Sequence, residues 1–163
     1  MMYNRQVSKC DPRVEAYGAV DELNAAIGLA RAAAEDDFAR HHLAAIQEDL
    51  VLLMGELATA AEDLPRYVKD GHTLVTPAMT ARLDGLVGEI EGAKVPAKGW
   101  AMPGANAAAA ALDVARTVCR RAERRACALQ EAGQLQNTEI MVYLNRLSDL
   151  LWLFARRSEA RGA

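Results

Sequence analysis

The chain has 163 residues, 52% of them hydrophobic but only 5% aromatic, with 19 Lys and Arg against 22 Asp and Glu for a net charge of −3. That length suffices for one domain to bury a real core without staples, and a slightly acidic balance argues against any general attraction to nucleic acid or anionic membrane. Three cysteines, Cys10, Cys119 and Cys127, an odd number without CxxC spacing, argue against a disulfide framework or a zinc site. With no signal peptide and no apolar run near the ~18 residues of a membrane span, a cytoplasmic protein is expected, or else the mature form of a protein processed elsewhere.

Helical periodicity accounts for nearly the whole chain, and alanine and leucine richness favours helix over strand. Asp11 followed by Pro12 predicts a helix start, continuing through EAYGAVDELNAAIGLARAAAE. A second helix is expected from Asp37 to Glu62, burying Leu43, Ile46, Leu50, Leu53 and Leu57. The segment from Leu64 to Val75 shows no period and turn chemistry, so it reads as a connection. Thr76-Pro77 predicts the cap of a third helix ending near Gly92 to Lys94, followed by an irregular KVPAKGWAMPG. The fourth helix is expected from Asn106 to Ala132, closed by Gly133. The fifth, capped by Asn137 or Thr138, carries Leu144, Leu147, Leu151 and Phe154. The fold class is therefore all-α, one domain over residues 1–163, a five-helix up-and-down bundle.

Within the fourth helix, VARTVCRRAERR places five arginines and one glutamate in twelve residues. Arg116, Arg120, Glu123 and Arg124 share one face, while Leu112, Ala115, Cys119 and Ala122 form an apolar one. Arg121 and Arg125 are expected to face water. Asp21 and Asn24 on the first helix, and Asn145, Asp149, Trp152 and Arg156 on the fifth, lie on stripes flanked by apolar residues. Charges near a core are expected to satisfy one another, because an unpaired buried charge is expensive. A guanidinium left over in a cleft suits phosphate oxygens, so a small anion fits this stripe better than a polyanion does. The alternative is a solvated arginine face with interhelical Asp–Arg pairs. Cys119 and Cys127 read as small core residues, His41 and His42 as solvent-facing, and His72 as a loop residue without a partner. A Glu-x-x-His signature of di-iron bundles is missing.

The blocks SKCDPRVEAYGAVDELNAAIGLAR, MPGANAAAAALDVARTVCRRAERR and YLNRLSDLLWLFAR resemble signature segments of the PduO-type ATP:cob(I)alamin adenosyltransferases, covering Val7 to Arg156. The resemblance implies a helical bundle assembled as a homotrimer with active sites between subunits. It implies transfer of the 5′-deoxyadenosyl group of ATP to the cobalt of cob(I)alamin, with release of triphosphate and with magnesium bridging the phosphates. Carried over by position, Arg120 binds the phosphates and is the residue expected to carry catalysis. Lys9 is a second phosphate contact, and Glu123 and Asn145 belong to the nucleotide site. Arg116 pairs with Asp21 across the subunit interface, and Trp100 stands where an aromatic presses on the corrin. ATP and the corrinoid are the expected partners, with no nucleic acid and no membrane. Three departures accompany the resemblance. The chain opens MMYNRQVSK where family members carry a T-R-T-G-D-x-G-x-T phosphate loop. In the second block, Trp100 replaces phenylalanine and Ala105 replaces a glycine. Asp113 stands where histidine is frequent. The missing loop leaves an alternative, a corrinoid- or nucleotide-binding homologue without transfer activity.

Overall fold

The computed structural model describes residues 1–93 and 101–161. Its helices are α1 (Pro12–Ala33), α2 (Asp37–Leu57), α3 (Leu64–Lys69), α4 (Pro77–Gly92), α5 (Ala107–Glu131) and α6 (Glu139–Arg161), and no strand occurs among the described residues. Five long helices form the bundle, and α3 is a short addition to it. Local chemistry explains most of the boundaries. Asp11, Asp36, Asn106 and Asn137 each accept a hydrogen bond from a backbone N–H of the first helical turn that follows, at 2.8–3.1 Å. Gly133, with φ +69°, takes the left-handed conformation that stops α5. Thr76 makes no side-chain cap; its carbonyl accepts from the Met79 N–H instead.

Two expectations are corrected. The second helix ends at Leu57, not Glu62, and residues 64–69 form α3 rather than a plain connection. Six residues are too few to display a helical period, which is why the pattern missed them. What fixes α3 is tertiary: Tyr67 is buried against α2 at Gly55, where an added Cβ would lie 2.4 Å from the tyrosine hydroxyl. His72, expected to be without a partner, stacks on Tyr67 at 4.4 Å between ring centroids.

Helix α5 packs against both α1 and α6, α1 also against α2, and α6 also against α4. The buried side of α5 is built of Ala108, Ala111, Leu112, Ala115, Cys119, Ala122 and Ala126. Such small side chains let neighbouring helices approach closely, and Ala16, Ala19 and Ala30 do the same on α1. Leucines of α2 and α6, with Tyr143 and Phe154, fill the remaining interior. Cys119 donates to the Leu144 carbonyl at 3.2 Å, and burial pushes its thiol pKa up, which makes it an inert core residue. Cys127 is half-buried. His41 is exposed as expected, whereas His42 is half-buried with its ring 4.4 Å from that of Phe38.

Candidate functional site on the outer flanks of α5

The arginine-rich side of α5 faces away from the alanine side, as helical geometry requires. Toward α6, Asn145 donates its side-chain amide to Glu123 Oε1 at 2.9 Å, which ties two of the expected nucleotide residues together. Arg120 and Arg124 are exposed on the same stretch and make no hydrogen bond or ion pair with any described residue. One turn nearer the N-terminus, Arg116 donates its Nε to Asp113 Oδ1 at 3.1 Å. The other carboxylate oxygen of Asp113 accepts from Arg156 at 2.6 Å, and both of those groups are buried.

Toward α1, a cavity of about 290 Å³ brings Lys9 together with Glu15, Gly18, Glu22, Arg121 and Arg125. Arg121 is ion-paired to Glu22, and Arg125 is exposed without a partner among the described residues. Glu123 stands two positions from both Arg121 and Arg125, roughly 200° around the helix, so the two sets occupy different flanks of α5. Within one chain, then, Lys9 keeps company with Arg121 and Arg125 and not with Glu123 and Asn145. A larger cavity of about 410 Å³, between the α1–α2 turn, the start of α5 and the end of α6, is lined by Asp36, Asn106, Leu112, Phe154 and Arg157. None of the expected site residues lines it.

Asp21 is exposed on α1 and pairs with no arginine among the described residues. Of the polar groups expected near the core on the first and last helices, Asp21, Asn145 and Asp149 are exposed, a correction; the expected pairing between helices does occur, at Asn145–Glu123 and Arg156–Asp113. Asn24 and Trp152 are half-buried, and Arg156 is buried, only 3% exposed. Trp100 lies outside the described residues. The pairing that sequence reasoning missed is the one between Asp113, Arg116 and Arg156. Its signal was available in part, since an aspartate three residues before an arginine is a standard helical ion pair; the third member, 43 residues away, was not.

Among the described residues, no group of three or more His, Cys, Asp or Glu side chains could hold a metal ion. None of the described helices is long and apolar enough to cross a membrane.

Known proteins resemble this chain over most of its length. The cobalamin adenosyltransferase family profile matches residues 1–158. The corrinoid adenosyltransferase PduO of Salmonella typhimurium is 39% identical over 159 residues, which is 96% of this chain but 45% of that protein. The chain thus spans less than half of the PduO proteins it matches, which include one from Citrobacter freundii. The corrinoid adenosyltransferase of Bacillus subtilis is 34% identical over 91% of this chain and 75% of its own length. Among solved structures, a variant PduO-type ATP:corrinoid adenosyltransferase from Lactobacillus reuteri, complexed with cobalamin and ATP, superposes with a TM-score of 0.82 at 33% identity. That match covers 94% of this chain and 83% of the other. A second variant of that enzyme, complexed with ATP, gives 0.83 at 32% identity, covering 96% and 85%. The chain belongs to the cobalamin adenosyltransferase family.

Proposed function

We propose that this protein transfers the 5′-deoxyadenosyl group of ATP to the cobalt of cob(I)alamin, releasing triphosphate, in the cytoplasm. The carrying observation is the Glu123–Asn145 hydrogen bond beside the unpartnered guanidinium groups of Arg120 and Arg124. That arrangement supplies a polar grip for a nucleoside next to free cationic forks for phosphate, on a fold shared with enzymes whose structures hold ATP and cobalamin. In the reaction, the cobalt electron pair attacks C5′, the bond from C5′ to the triphosphate oxygen breaks, and its electrons leave with the triphosphate. Cob(I)alamin is itself the nucleophile, so no protein base is required. The residues align the two substrates and stabilise charge that grows on the leaving group. Arg120 is assigned to that charge, Lys9 to a second phosphate contact, and Glu123 and Asn145 to the nucleoside. Magnesium travels with the phosphates.

The separation of Lys9 from the Glu123–Asn145 pair around α5 supports a composite site. A single nucleotide touching both sets requires two copies of the chain, one giving each flank, a head-to-tail contact that closes into a ring; the resemblance makes that ring a homotrimer. In it, Asp21 of one copy is assigned to Arg116 of the next, and Trp100 to the corrin. The test is incubation with ATP, magnesium and chemically reduced cobalamin, followed through the absorbance of adenosylcobalamin. Product formation that is lost in Arg120→Ala supports the assignment. Cobalamin binding by calorimetry without any ATP binding or product would replace it with a non-catalytic homologue.

A further inference from the structure

Arg116 differs from Arg120 and Arg124 in being held at all, and from Arg121 in being held through Nε by a buried carboxylate rather than through Nη by an exposed one. Its Nε is spent on Asp113 Oδ1, while neither Nη group donates to any described residue. Its side chain is 27% exposed, whereas that of Asp113 is 5% exposed and that of Arg156 3%. Behind Asp113, Arg156 lies within 3.1 Å of Glu159 Oε1 and 5.7 Å above the Trp152 ring. The chain of contacts runs inward from a half-exposed cation, through a buried carboxylate, to a buried cation with its own second acid.

We infer that Asp113 is a positioning residue for Arg116: a buried carboxylate, already balanced by Arg156, that fixes the arginine through Nε and aims its two Nη groups outward at a carboxylate of a second copy. This rests on the assembly proposed above, in which that carboxylate is Asp21. The geometry, more than the charge total, gives the reason for two buried partners: Arg116, Asp113, Arg156 and Glu159 are two cations and two carboxylates. Asp113 spends one oxygen on Arg156 and offers Arg116 only the other, so Arg116 is held through Nε and keeps its Nη donors open while losing its rotational freedom. A free arginine side chain loses rotamer entropy when it is ordered, and restricting it beforehand lowers that cost on association. The guanidinium is the group suited to this, since Nε and the Nη pair lie in one rigid plane and point to different partners. Lysine has no second end to offer.

Sedimentation velocity over a concentration series tests this with wild type, Arg116→Ala, Asp113→Asn and the double variant. Asp113→Asn is expected to weaken self-association about three- to tenfold, and to have no further effect once Arg116 is alanine. That non-additivity separates positioning from a general structural role, which would act whether or not Arg116 is present. If Asp113→Asn folds poorly because Arg156 loses its buried carboxylate, Asp113→Asn/Arg156→Met removes both fully buried charges, leaving the half-exposed Glu159, and is expected to fold while showing the same weakened assembly. Wild-type assembly in a well-folded Asp113 variant, or additive effects, would overturn the inference while leaving the interface intact. A monomeric wild type, or an Arg116→Ala variant that assembles normally, would overturn the assembly reading and this inference with it.

Discussion

Two regions of the bundle treat charge in opposite ways. Around the ends of α2, every buried charged group is answered within the chain. Arg13 donates to the carbonyls of Leu57 and Thr59 at 3.0 and 2.9 Å and to that of Gln134, so it gathers the C-terminus of α2 and the α5–α6 link. Glu56 accepts from the Val75 N–H at 2.7 Å and from Asn137 at 2.9 Å. Asp49 takes the Arg82 guanidinium and the Tyr143 hydroxyl. Along the outer flanks of α5, by contrast, Arg120, Arg124, Arg125 and Asp21 find no partner among the described residues. Groups satisfied internally hold helices together, while groups left open on one side of the same bundle are available to something outside it.

The contrast can be broken most severely at Arg13. Arg13→Ala leaves three carbonyls without their donor, and is expected to lower unfolding free energy by about 3–5 kcal/mol. Denaturant titration should show a lower midpoint with an unchanged slope. The mirror-image experiment is Arg120→Ala, expected to reduce turnover by about 10²- to 10³-fold. Its unfolding free energy should stay within about 0.5 kcal/mol of wild type, because an exposed, unpartnered side chain contributes little to the fold. A large loss of stability there would move Arg120 to the structural group. Asp21→Ala should weaken self-association about tenfold or less without changing the folding of the isolated chain, as read by light scattering and by thermal unfolding.

The smallest effect concerns pH. Burial holds the Glu56 carboxyl above its ordinary value, against the opposing pull of its hydrogen bonds from Val75 and Asn137. With a native pKa above the unfolded one, the folded chain binds more protons through that window, so this residue's contribution falls as pH rises through it. Below the ordinary glutamate range no such loss exists. Glu56→Gln cannot titrate, and it places an amide where an N–H expects an acceptor. Its deficit relative to wild type should therefore be greatest in acid and shrink toward neutrality, as measured by denaturant midpoints across pH.

How much of this was legible beforehand differs by element. Long helices with capping residues and repeated apolar positions announce themselves, and Asp11-Pro12, Asn106 and Gly133 all mark boundaries where the chain places them. Residues 64–69 do not, since a six-residue helix depends on Tyr67 finding the space above Gly55 rather than on its own pattern. Among the site residues, the face shared by Arg120 and Glu123 was readable from spacing, and the bond from Glu123 to Asn145 confirms that α6 lies beside it. The role of Asp113 was not readable, because its second partner arrives from α6.

The sequence by itself determined the helical class, the capped starts of the long helices and the concentration of guanidinium groups on one side of α5, since periodicity and capping act over a few residues. Only the tertiary structure decided which of those charges are consumed. Arg121 meets Glu22, Arg116 is held by Asp113, and Arg120 and Arg124 remain open. The physical reason is that ion pairing depends on distances between helices, and these are set by how alanine-lined faces pack, not by any spacing along one of them.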